Sequence, residues 1–171
     1  IDAGGSAFDV VLRFCEQSAQ LVGIQATACT GRGTRNYRPY GKTVVGTPRE
    51  QCHLAMDAHR RKWVAWHADY WREIAQKAWT GSVGAPGSCS LPAGRHREFA
   101  EQIAREQLAG KGEVAGVMQW VWHTQPGRHD YSDVMAMAYM GAAYGGIGSS
   151  GPVQKKKVSG GVFILKPGGR R

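Results

Sequence analysis

Residues 1–29 read IDAGGSAFDVVLRFCEQSAQLVGIQATAC, and the fold class follows from how they divide. Ile1 and Asp2 read as the end of a strand, and Gly4-Gly5 as a tight turn. Ser6 is placed to cap a helix running to about Gln20, with Val10, Val11, Phe14 and Leu21 as its buried stripe. The branched residues of Leu21–Cys29 predict an interior strand that stops at Thr30-Gly31-Arg32-Gly33. Strand, helix, strand in this order predicts a right-handed crossover in an α/β sheet. Functional side chains of such sheets gather at the C-terminal ends of the strands, where Asp2 is expected.

Further elements follow from pattern. Lys62–Ala68 predicts a short strand and Asp69–Trp79 a helix with Tyr70, Ile74 and Ala78 facing inward. Residues 80–94 (TGSVGAPGSCSLPAG) are punctuated by Gly and Pro and predict a loop. A helix is expected from about Arg95 to Leu108, with Phe99, Ile103 and Leu108 as its ridge. Val114–Trp122 predicts a strand by its alternation. His67 reads as a half-buried histidine outside any site, and the tryptophans read as packing residues.

The segment RHDYSDVMAMAYMGA, Arg128 to Ala142, predicts a helix whose close-packing face is Val134, Met137, Ala138, Gly141 and Ala142. Asp130 and Asp133 fall in its first turn, where free backbone amides and the helix dipole favour a carboxylate. Two roles fit that position. The pair resembles a capping box, and Asp133 is also placed to be a metal ligand on a rigid helix end.

The 171 residues suit one domain, 1–147, followed by a basic tail, 148–171, expected to be flexible. The formal charge is +9, from 22 Lys and Arg against 13 Asp and Glu, which points to a polyanionic partner. Between Arg32 and Lys62 the cations concentrate, with Tyr37 and Tyr40 interleaved. Arg32, Arg35, Arg38 and Lys42 are the candidate contacts to a nucleic-acid backbone; a solvated loop is the alternative. Gly41-Lys42-Thr43 is not a phosphate loop, because GxxxxGK requires glycine where Asn36 stands. Cys15, Cys29, Cys52 and Cys89 form no CxxC pair and read as reduced thiols. Cys52, His53, His59 and His67 match no zinc spacing. No apolar run reaches the ~20 residues that span a bilayer. The chain opens at Ile1 without methionine, which reads as a processed product or a fragment.

Taken together, these features resemble the C-terminal nuclease domain of phage terminase large subunits of the lambda-type DNA-packaging family. The resemblance covers most of the chain. It rests on IDAGG followed by a helix ending in Phe14-Cys15, on APGSCSLPAGRHREFAEQIAREQL, and on the order Trp122, Arg128, Asp133, Tyr139, a W-x5-R-x4-D-x5-Y pattern.

The resemblance implies an RNase H-like mixed sheet flanked by helices, lacking its first strands here. It implies a divalent-metal endonuclease that cuts concatemeric double-stranded viral DNA in the host-cell cytoplasm. The implied partners are an N-terminal packaging ATPase, the small terminase subunit and the capsid portal. Enzymes of this family use acids from separate elements. Asp2 matches the second acid and Asp133 the third; the first has no counterpart in these residues. Asp130 stands as a further candidate ligand, and Glu106 matches a recurring glutamate for which a structural salt bridge is expected. The implied chemistry uses two Mg2+ or Mn2+ ions ~4 Å apart on converging carboxylates. With the first acid absent, little or no nuclease activity is expected of this chain alone, which would leave a non-catalytic DNA-binding module as the other reading.

Overall fold

The computed structural model describes residues 1–39 and 50–147. After a short 3-10 turn at Gly5–Ala7, helix α1 spans Phe8–Val22, and strands β1, β2 and β3 span Cys29–Arg32, Cys52–Met56 and Lys62–His67. Helices α2 and α3 span Ala68–Thr80 and Arg97–Ala104, strands β4 and β5 span Glu106–Val114 and Val117–Thr124, and α4 spans Asp130–Tyr144. The architecture is mixed α/β. One sheet has the order β1-β3-β2, with β1 parallel and β2 antiparallel to β3, and a separate ribbon pairs β4 with β5 antiparallel. Asp2 extends the first sheet by a parallel bridge to Cys29, closed by Ala3 N to Cys29 O and Cys29 N to Ile1 O.

Helices cover both faces of this sheet, and the two-residue period of β3 explains the division. Val64 and Trp66 point into a core with Cys29, Cys52, Trp71 of α2, and Ala136, Met140 and Ala143 of α4. Trp63 points the other way, onto Ala3, Leu12, Cys15 and Ala28 beneath α1. Each large side chain buried here contributes about 1.5–3 kcal/mol.

Five expectations are corrected. Helix α1 does not give way to a strand at Leu21. It runs to Val22 and stops on Gly23, left-handed at φ 69°, whose N–H bonds Ala19 O. The interior strand begins only at Cys29. The face that α1 buries is Leu12, Cys15 and Ser18, whereas Val10, Phe14 and Leu21 are exposed. Ser18 belongs inside because its hydroxyl donates to Cys15 O and accepts from Ala26 N, fastening the turn after the helix.

The helix expected to reach Leu108 ends at Ala104, and Glu106 opens β4. Helix α4 buries Ala136, Met140 and Ala143, a face offset from the expected one; Val134, Ala138 and Gly141 are exposed. Strand β2 lies in a region read as basic loop. The expected tail, 148–171, and Tyr40 and Lys42 lie outside the described residues.

Candidate functional site

The parallel strands place several charged groups at one end of the sheet. Helix α2 starts directly at the exit of β3, with Asp69 in its first turn. Helix α4 runs back against the strands. Its later residues Met140, Gly141 and Tyr144 line a cavity with Ile1 and Thr27 on the strand-entry side. Its first turn, with Asp130 and Asp133, therefore lies toward the strand exits, the end that carries Arg32, whereas Asp2 pairs beside Cys29, at the start of β1.

Arg72 is the centre of this end. Its Nε donates to Asp133 Oδ1 at 2.9 Å, and Nη2 donates to the same oxygen. Its Nη1 lies 3.2 Å from Glu106 Oε1. Burial acts to lower the guanidinium pKa, but Asp133, Glu106 and Asp69 outweigh it and the net shift is upward, so Arg72 stays charged. Glu106 is 7% exposed. Burial pushes its carboxyl pKa up, Arg72 opposes that, and Asp133 adds to it. The expected structural salt bridge of Glu106 is thus present, with Arg72 as its partner.

Asp69 is occupied differently. Its Oδ2 accepts from Thr34 N and Thr34 Oγ1, both at 2.8 Å, and its Oδ1 accepts from Trp122 Nε1 at 3.1 Å. It ties the loop after β1 and the β4–β5 ribbon to the start of α2.

The capping reading of Asp130 and Asp133 is not what the structure has. His129 holds the N-cap position with no side-chain cap bond, and the amide of Tyr131 is taken instead by Gln102 Oε1 at 3.3 Å. Asp133 has turned from the helix end toward Arg72, since a guanidinium offers a charge-assisted bond that a backbone amide does not match. Asp130 is exposed in the first helical turn.

Asp2 is also exposed, and its carboxylate folds back onto Gly4 N at 3.0 Å. Asp2, beside the start of β1, and Asp133, held by Arg72, thus sit in separate surroundings. Among the described residues, no group of three or more His, Cys, Asp or Glu side chains is placed to hold a metal ion. In this arrangement the two-ion site implied by the resemblance does not fit the residues described.

The basic loop arrives at the same end. Arg32 ends β1, and Arg35 and Arg38 follow, all three exposed. The loop is anchored by Thr34 on Asp69 and by Tyr37, whose buried ring packs 5.2 Å from His67 and whose hydroxyl is 3.2 Å from His53 Nδ1. Burial pushes the Tyr37 hydroxyl up to about 12. Arg35 Nη2 reaches Val114 O at 3.4 Å, and Arg38 Nη1 donates to Arg35 O at 2.7 Å. Among the described residues these bonds go to neutral carbonyls and no carboxylate pairs with either guanidinium, which suits a phosphate-facing loop.

The chain matches no protein-family model, no curated protein and no solved structure. The residues that organise this end, Arg72 and Asp69, were missed in the sequence. Asp69 carried one usable signal, its place in the first turn after a predicted strand. Arg72 carried none, because its partners are far along the chain and an Arg on a helix reads as solvated.

Proposed function

We propose that the chain is part of the nuclease domain of a viral DNA-packaging terminase large subunit of the lambda type, an endonuclease dependent on Mg2+ or Mn2+ that acts on double-stranded DNA. One observation carries this reading. Asp133, in the first turn of a helix running back along the sheet, lies toward the same end as the arginines of the loop after β1, while Asp2 closes the extended segment that pairs parallel beside Cys29. Acids and phosphate-binding cations at one sheet end are what hydrolysis of a nucleic-acid backbone requires.

The test is Mn2+-dependent nicking of supercoiled plasmid by the full-length native polypeptide that carries these residues. Loss of nicking in both Asp2→Ala and Asp133→Ala supports the proposal, and wild-type nicking in both variants overturns it. The 171 residues alone are expected to nick little or not at all, because two acids hold two ions poorly. Robust cleavage by them, abolished in Asp133→Ala, would show that the site is complete without a further acid.

A second reading, a non-catalytic DNA-binding module, is favoured by the capture of Asp133 by Arg72. It expects full-length protein that binds duplex DNA and never cuts it.

A further inference from the structure

The acids at the sheet end already have a cation. Glu106 opens β4, Asp133 sits in the first turn of α4 and Asp69 in the first turn of α2, so three separate elements bring negative charge around the Arg72 guanidinium. The side chain of Arg72 is 23% exposed and that of Glu106 5%. Both Nε and Nη2 of Arg72 converge on a single oxygen, Oδ1 of Asp133, while Nη1 turns to Glu106. A planar guanidinium serves two carboxylates on different elements in this way, whereas an ammonium makes one compact contact.

We propose that Arg72 is the resident cation of this cluster: it positions Asp133 against Glu106 and competes with a divalent ion for Asp133. A metal ligated through Oδ1 must displace two hydrogen bonds and bring a second positive charge beside the first. Removing Arg72 leaves carboxylates whose mutual repulsion a divalent ion would relieve. Arg72 is a positioning residue on this account, not a catalytic one.

The test is binding of Mn2+ by the 171-residue chain, read from the electron paramagnetic resonance signal of free Mn2+, with circular dichroism as the control for folding. Arg72→Gln is expected to bind Mn2+ at least about ten-fold more tightly than wild type. Arg72→Lys, which keeps the charge and loses the forked contact, is expected to tighten binding about two- to four-fold. The double variant Arg72→Gln with Asp133→Asn is expected to lose the gain. A folded Arg72→Gln protein with unchanged or weaker Mn2+ affinity overturns the proposal, as does a gain that survives in the double variant. Should Arg72→Gln not fold, Arg72→Lys decides by itself: tighter binding supports the proposal and unchanged binding overturns it.

The inference rests on the proposed function only in taking Asp133 as a carboxylate that a metal would use. Absence of nicking by the full-length protein together with a Mn2+ gain in Arg72→Gln removes the nuclease reading and leaves this one. Nicking that depends on Asp133, with no gain in Arg72→Gln, does the reverse.

Discussion

Gly31 lies in β1 directly beside the indole of Trp66, and a Cβ built there would meet Trp66 Cζ2 at 3.0 Å and Cε2 at 3.2 Å. Trp66 is 3% exposed, so its ring has no open space to swing into. Gly31→Ala is therefore expected to destabilise the protein by about 1–3 kcal/mol through overpacking. Urea melts check this, and an unchanged midpoint would mean that the ring gives way freely. His67 belongs at the same scale. Its Nδ1 accepts from Tyr70 N at 3.2 Å and caps α2, which needs an unprotonated nitrogen. Burial holds its pKa below the ordinary 6.5, with Asp69 opposing. The unfolded chain therefore takes up the proton first, so this stability is complete above about pH 6.5 and is lost as pH falls through the folded value. Burial lowers His53 in the same direction. His67→Gln is expected to cost about 0.5–2 kcal/mol at pH 7.5, the range for a lost cap. It should also flatten, without abolishing, the loss of stability between pH 7.5 and 5. A pH dependence identical to wild type would rule out His67 as its source.

At the scale of elements, the β4–β5 ribbon is docked on α2 by several polar side chains, and Glu73 joins two of its residues at once. Glu73 accepts from Lys77 Nζ at 2.8 Å, from Lys111 Nζ at 3.2 Å and from Trp120 Nε1, while Lys111 also stands 4.5 Å over the Trp120 ring. Burial alone would raise the Glu73 pKa, but the bonds from Lys77, Trp120 and Lys111 hold it down at about 2. Its contribution is present above the ordinary 4.5 and is lost as pH falls toward about 2. Glu73→Ala is expected to cost about 1–3 kcal/mol and to raise amide exchange in β5 while α2 and α4 keep their protection. Equal loss in all three would mean that the ribbon is not a separable unit. The same docking explains why β4 was illegible in the sequence. Phe99 and Ile103 set a helical period that runs on through good helix formers, yet Leu108 N is taken by Gln76 Oε1 at 3.2 Å and Glu106 by Arg72. Tertiary partners overrode local preference there. The elements that were legible, β3, α2, β5 and α4, carry strong periods or clear stops. In α4 even the buried face could not be read, because most of the helix is apolar and no stripe stands out. Of the candidate site, Asp133 was readable as an acid in the first turn of α4. The Arg72 network was not, since a hydrogen bond across 61 residues leaves no local trace.

For the whole molecule, the decisive feature is a compact acidic cluster set in a chain of net charge +9. Asp69, Glu106 and Asp133 are gathered around one guanidinium, while Arg32, Arg35 and Arg38 project from the loop that Asp69 anchors. A polyanion drawn to the protein at long range would be repelled by the acids alone, so the loop must supply the local attraction at this end. This gives a prediction that holds whether or not the protein cuts DNA. Each arginine that meets a phosphate releases a counterion, so replacing Arg32, Arg35 and Arg38 together by Ala should weaken duplex binding at every sequence. The magnitude of the slope of log K against log salt should fall by about 2.7, or about 0.9 for each lost contact. A fluorescence titration of a short duplex across a salt series measures it, with circular dichroism confirming that the triple variant folds. A smaller slope with wild-type affinity retained would be inconsistent, because the electrostatic contribution supplies nearly all sequence-independent binding. If the slope stays at the wild-type value, the DNA lies elsewhere on the basic surface. The acids at this end of the sheet would then face no substrate, and the nuclease proposal would lose the coincidence on which it stands.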